Sequence, residues 1–425
     1  MKILLGILLV LLTCKPADLE NSCDSSSNTF LETLIVKIGR GDLSPHCGIK
    51  ITTNICDLNY PSVIQTENSQ KFLDEINFQS QQGSTGSPTF DSTSITVPSA
   101  SFRWLGSVLA PNGKIYAIPY QATTVLIIDP ITNTADTTSI VGLTGTNKWN
   151  GGVLAPNGKI YGIPYSSPNV LIIDPVTNTA NTTTITGLGS GTSKWNGGVL
   201  APNGKIYGIP SESDSVLIID PVTNSANTTT ITGLGVATSK WSSGVLAPNG
   251  KIYGIPYNMS DGVLIIDPVT NTANTSTITG LSGSFMWSSG VLAPNGKIYG
   301  MPYNATNVLI IDPINGTADT TTISGIIGTN PKWIGGVLAP SGKIYGIPAS
   351  SEEILILDPM NQTANTSTLA GLVGTNKWNG GTLASNGKIY GIPFSAPSNS
   401  VLIIDSKSKG TFCPSILESS YLNIF

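Results

Sequence analysis

The chain has 425 residues, a net charge of −4, and 11% charged against 40% hydrophobic residues. So weak a charge gives no field to steer nucleic acid, and no basic stripe accompanies a groove-reading helix, so no nucleic-acid partner is expected. The only histidine, His46, stands beside Cys47 with no second ligand pair nearby, so neither a metal centre nor a cofactor is expected.

In chain order, residues 1–13 (MKILLGILLVLLT) carry one basic residue and then an apolar run too short to span a bilayer, which reads as a signal peptide. Leu11-Leu12-Thr13-Cys14 resembles a bacterial lipobox, with Thr13 where Gly, Ala or Ser is usual. The stretch NSCDSSSNTFLETL…GDLSPHC is similar to segments that follow the lipid cysteine in leptospiral, spirochaete-type lipoproteins. The resemblance implies lipidation at Cys14 and a membrane tether in the bacterial cell envelope, at the outer membrane.

Residues 14–61 are expected to form a small cysteine-containing segment. With Cys14 lipidated, Cys23, Cys47, Cys56 and Cys413 remain as disulfide candidates, with three possible connectivities. Asn28 suits the cap of a short helix whose Phe30, Leu31, Leu34, Ile35 and Ile38 share a face. Residues 62–90, rich in Ser, Gln, Gly and Thr, read as a linker.

From there the chain repeats one unit. The seven tryptophans, Trp104, Trp149, Trp195, Trp241, Trp287, Trp333 and Trp378, recur every 45 or 46 residues. That period marks units that stack because none buries its own apolar face. In the second copy, GVLA (152–155) and KIYGIP (159–164) flank Pro156-Asn157-Gly158, an Asn-Gly hairpin in which both residues tolerate positive φ. VLII (170–173) reads as a strand buried on both faces, Asp174-Pro175 opens a turn, and TTTI (182–185) reads as a polar fourth strand.

Four antiparallel strands per unit, with no room for a helix, predict an all-β, seven-bladed propeller over 91–405. The segment 91–97 (DSTSITV) aligns with the fourth-strand segment of the other copies, whereas the last copy loses the Pro and the Thr-Asn pair and runs into a tail, 406–425, where Thr411–Leu417 is the competing closing strand but Pro414 would remove a ladder donor. An N-terminal strand is therefore expected to complete the last blade and leave no open edge. IYGIPYSSPNVLIIDPVTNTANTTTI (160–185) resembles the YVTN-type β-propeller repeat. That resemblance implies the fold; such propellers serve as surface, binding and occasionally enzymatic modules.

No histidine lies within the repeats, so a Ser-His or Cys-His nucleophile is absent there and no enzymatic activity is expected. Each copy repeats an Asp at one turn (Asp129, Asp174, Asp220, Asp267, Asp312, Asp358, Asp405) and a turn lysine such as Lys159 or Lys205, which reads as a balanced rim on one face. The loops of the opposite face differ from copy to copy (YQATT, YSSPN, SESDS, YNATN, ASSEE), so that face alone can present an asymmetric site. A cation precedes each tryptophan there: Arg103, Lys148, Lys194, Lys240, Lys332 and Lys377, with Met286 the exception. Tryptophan platforms beside cations suit a glycan or an anionic matrix protein as partner, and wedge-filling tryptophans are the competing reading. Glu212, Asp214, Asp261, Glu352 and Glu353 are acids confined to single loops. The expected function is a monomeric surface binding or adhesion module; the alternatives are a structural envelope protein and a calcium-assisted lyase or hydrolase.

Overall fold

The computed structural model describes residues 86–258, 262–395 and 398–407. The signal peptide, Cys14, the cysteine segment with Cys23, Cys47 and Cys56, nearly all of the linker, and Cys413 lie outside them. The described chain is an all-β propeller of seven four-stranded antiparallel sheets.

Each blade, numbered from its tryptophan, repeats one register. In blade 2 the strands are Trp149–Leu154, Ile160–Pro164, Leu171–Asp174 and Thr179–Asn181. Trp149 pairs with Pro164, Tyr161 with Ile172 and Asp174 with Thr179. The inner three strands are buried almost throughout, because neighbouring blades cover both faces. Close approach between blades explains a repeated glycine: a Cβ on Gly152 would stand 2.7 Å from Ile118 Cδ1 of blade 1. The residues after the tryptophans are also mostly buried, among them Leu105, Asn150, Ser242, Ser288 and Asn379.

Two local expectations are corrected. The fourth strand is Thr179–Asn181, not TTTI (182–185). Asn181 Oδ1 accepts the backbone N–H groups of Thr183 and Thr184 at 2.9 Å each, an Asx turn that bends the threonines away and returns Ile185 to the core. At the inner hairpin only the glycine takes positive φ, Gly158 at 76°. Asn157 keeps an ordinary backbone and uses its side chain instead: Oδ1 accepts Lys159 N at 3.1 Å, and Nδ2 donates to Tyr161 Oη at 3.0 Å and to the Pro221 carbonyl of blade 3 at 3.1 Å.

Blade 7 takes its outer strand from the N-terminal side of the chain. Thr89–Asp91 pairs antiparallel with Leu402–Asp405, two residues earlier than the 91–97 segment proposed from the sequence. The strand ends at Asp91 because its Oδ1 accepts Thr93 N at 2.8 Å and Ser94 N at 3.2 Å, the same Asx turn that ends the other outer strands. Ile95 then accepts Val401 N at 2.9 Å, as Ile140 accepts Val125 N at 3.0 Å in blade 1.

Candidate ligand-binding face

The two ends of the propeller are built differently. At the hairpin-turn end, six blades hold a Lys–Asp pair, from Lys114–Asp129 at 3.5 Å to Lys343–Asp358 at 3.6 Å, with lysine side chains 37–46% exposed. Beside the pairs of blades 1 to 5 a tyrosine and an asparagine reach the next blade, as when Asn157 Nδ2 donates to the Pro221 carbonyl at 3.1 Å and Tyr161 Oη meets Asn224 Oδ1 at 2.9 Å; blade 6 has Ser341 in place of the asparagine. The six apolar turn tips here, Ile131, Val176, Val222, Val269, Ile314 and Met360, are exposed, and the chemistry is nearly the same at every blade.

At the opposite end, two residues per blade close a belt of backbone hydrogen bonds. The residue before each tryptophan alternates with the residue after each Ile-Pro or Met-Pro. Lys148 N donates to Tyr120 O, Tyr165 N to Lys148 O, and Lys194 N to Tyr165 O, and so on round the ring until Phe394 N donates to Lys377 O and Arg103 N to Phe394 O. Every link is 2.8–3.0 Å long, so the belt crosses all seven blade boundaries unbroken.

The predicted tryptophan and cation ring lies beneath this belt, in the interior. All seven tryptophans are at most 3% exposed, and each donates Nε1 to a backbone carbonyl, as Trp149 does to Asn169 O at 2.8 Å. Trp104, Trp195, Trp241, Trp287, Trp333 and Trp378 do the same, at 2.7–3.0 Å. An indole enclosed on both faces fills the wedge between blades and offers no platform to a ligand.

The cations are likewise turned inward. Lys148 Nζ donates to the carbonyls of Tyr120, Ala122 and Gly145 at 2.9–3.1 Å. Lys194, Lys240 and Lys377 each clamp two carbonyls, Lys332 reaches Asn330 Oδ1 at 2.8 Å, and Arg103 holds the carbonyls of Pro98 and Ser398. Burial pushes the ammonium groups of Lys148, Lys194 and Lys377 down to about 8. These six residues tie loops together; they are not a surface for anions. Sequence reasoning misplaced them because a lysine before a strand reads as solvated unless the carbonyls that enclose it are known.

What the loop end does present is aromatic and acidic. The belt position after proline is Tyr120, Tyr165, Ser211, Tyr257, Tyr303, Ala349 and Phe394 in blades 1 to 7. Rings on adjacent blades touch: Phe394–Tyr120 at 6.3 Å, Tyr120–Tyr165 at 5.8 Å and Tyr257–Tyr303 at 5.2 Å between centroids. Blades diverge outward, so rings that meet from blade to blade stand around the mouth of the axis. Phe102 packs edge-on against Phe394 at 5.2 Å and Phe285 against Tyr257 at 5.0 Å. Both phenylalanines are exposed, at 41% and 42%, and both hold left-handed backbone, φ 52° and 53°. Asn147, Ser193, Ser239 and Asn376 occupy the same place in four other blades, and such small polar residues suit that conformation far better than phenylalanine.

The aromatics therefore form two arcs, one over blades 7, 1 and 2 and one over blades 4 and 5. The gaps fall at Ser211 and Ala349, in the two blades whose loops carry Glu212 with Asp214 and Glu352 with Glu353. Ser211 Oγ is buried and has no hydrogen-bond partner. Asp214 is spent on the backbone N–H groups of Gly233 and Gly235, and Glu353 accepts Ser351 Oγ at 2.7 Å. Burial raises the Tyr165 phenol; a hydrogen bond with Ser193 opposes this and the Glu212 charge adds to it. Burial and the neighbouring Tyr303 hold the Tyr257 phenol far above its usual range. The aromatic arcs went unread in the sequence, although the residue after each Ile-Pro or Met-Pro varies as Y, Y, S, Y, Y, A, F. A cleft of 350 Å³ beside Lys148 lies off this mouth, and its only titratable lining group is that buried lysine. Among the described residues no cluster of His, Cys, Asp or Glu is placed to hold a metal ion.

No protein-family model and no curated protein matches the chain. Solved structures match it in fold. A streptogramin B lyase aligns with 75% of this chain and 97% of its own, at 9% identity and TM-score 0.58. A catalytically inactive virginiamycin B lyase from Staphylococcus aureus with quinupristin aligns with 75% and 99%, at 10% identity and TM-score 0.60. The extracellular domain of a putative hybrid two component system from B. thetaiotaomicron aligns over 77% of this chain and 44% of its own, at 11% identity and TM-score 0.56. At such identities the likeness is one of fold alone: the chain is a seven-bladed β-propeller similar in fold to the lyases and to that extracellular domain.

Proposed function

We propose that this protein is a binding module of the bacterial cell envelope, tethered through lipid on Cys14 and engaging its ligand with the loop end of the propeller. The observation that carries the reading is the contrast between the two ends. One repeats the same Lys–Asp pair in six blades, whereas the other holds exposed aromatics in only some of them. A ring built for stability alone has no need of exposed phenylalanine in left-handed backbone; conformational strain of this kind is concentrated at ligand sites. Absence of histidine from the repeats argues against a hydrolytic triad, and tethering would leave the propeller facing its partner.

The test is a binding screen of the lipid-free chain against glycans and matrix proteins, beside loop-end variants (a swap of 212–215, Phe285→Asn) and a turn-end variant (Val222→Ser). Binding lost only with the loop-end changes supports the reading. Binding lost only with the turn-end change moves the site to the other end of the propeller, and no ligand at all favours a purely structural envelope protein. Intact mass of protein from its native host checks the anchor: a diacyl or triacyl addition on a chain beginning at Cys14 is expected.

A further inference from the structure

We infer that the axial mouth of the loop end binds an organic cation, an alkylammonium or guanidinium group on an apolar stem, between its two aromatic arcs and the carboxylates of Glu212 and Glu352. The inference rests on the binding reading above and names the ligand class.

Charge decides the class. The six cations that the sequence places at this end are buried and bonded to carbonyl groups or, for Lys332, an amide oxygen, so among the described residues of this end an anionic ligand meets no available positive group. Among the described loop acids, Glu212, half-buried, and Glu352, exposed, are the two whose side chains make no hydrogen bond. Glu212 directly follows the belt residue Ser211, and its backbone N–H donates to the Ser193 carbonyl at 2.9 Å; Glu352 directly follows Ser351, whose carbonyl accepts Nζ of the belt residue Lys377 at 2.8 Å. The two acids therefore flank the arcs from blades 3 and 6, where the ring lacks an aromatic.

The aromatics supply the rest. Tyrosine and phenylalanine faces attract ammonium and guanidinium groups through the ring quadrupole, and the attraction grows when the cation is partly desolvated. Phe102 and Phe285 extend the two arcs outward and remain exposed against the cost of left-handed backbone. Ser211 Oγ, 1% exposed and without a partner, lies in the gap beside Glu212 as an unused polar group. An apolar stem fits the aromatic arcs, and its charged end fits either acid gap.

The same chemistry occurs in a free polyamine and in the Arg or Lys side chains of a protein, so the test has both arms. Spermine and a tri-arginine peptide are titrated into the lipid-free chain by calorimetry and tyrosine fluorescence, with a neutral disaccharide and citrate as controls. Saturable, salt-sensitive binding of at least one cation is expected, weakened about tenfold or more in Glu212→Gln/Glu352→Gln and in Phe285→Asn, with unchanged melting in the double glutamine variant. Stronger binding of spermine marks a polyamine as the source, and stronger binding of the peptide marks a protein. No saturable binding of either cation at millimolar concentration, or binding indifferent to these variants, overturns the inference. Binding of the disaccharide at the same face, lost in Phe285→Asn, would also overturn it while leaving the binding-module reading intact.

Discussion

Tyr390 of blade 7 donates its hydroxyl to the Pro130 carbonyl of blade 1, 260 residues earlier, at 3.4 Å. Asn386 Nδ2 donates to the same carbonyl at 3.1 Å, so the contact that joins neighbouring blades also joins the last to the first. The ring is closed in three ways: by this staple, by the belt at the other end, and by the N-terminal outer strand of blade 7.

Deleting residues 89–98 should leave Leu402–Asp405 as an unpaired edge and unseat the buried Ile95 and Val97. The expected result is loss of cooperative unfolding or concentration-dependent aggregation, read by calorimetry and light scattering. Wild-type melting in the deletant would show that closure does not depend on this strand.

Trp149→Ala should cost about 3–5 kcal/mol, the range for removing a large buried aromatic, and should also leave the Asn169 carbonyl without its donor. Urea unfolding measures the loss. A cost near 1 kcal/mol or less would mean that the indole is not wedge filler.

Phe285→Asn should stabilise the fold slightly. Left-handed backbone costs a bulky residue about 1–2 kcal/mol, against about 0.5–1.5 kcal/mol for its edge-on contact with Tyr257. A small rise in Tm together with weaker ligand binding is the expected pair of outcomes. A fall in Tm would show that the contact outweighs the strain.

Acid should weaken the ring in a defined window. Ten aspartates have lowered pKa values, with Asp136 and Asp319 at about 2 against an ordinary 3.8. At Asp136, burial acts upward but is outweighed by hydrogen bonds from Ser139 and Thr138. The folded state thus binds these protons less readily than the unfolded one. The stability they supply is complete above about pH 4 and is lost as pH falls toward 2. Melting temperature against pH should be flat above that window and fall within it, and Asp136→Asn should blunt the fall.

The sequence by itself determined the architecture. Seven tryptophans every 45 or 46 residues, a hairpin signal and a buried apolar run in each copy (VLII, or ILIL in the sixth) leave a stacked all-β ring as the economical solution, because local pattern and period are carried by neighbouring residues. That Lys159 and Asp174 share one face was also legible, since both sit at fixed turn positions of one blade; the structure adds that they pair at 3.2 Å. The tertiary structure alone decided which side chains face water. Lys148 before Trp149 suggests a surface pair, yet the ring draws both inward: the Lys148 ammonium finds carbonyls of Tyr120 and Ala122, 26 to 28 residues away in sequence, and the indole is closed off by the adjacent blade. Tyr120 and Phe394 become neighbours for the same reason. They lie at opposite ends of the repeat array and meet only because the blades close on themselves, and that closure joins blades 7, 1 and 2 into one aromatic arc.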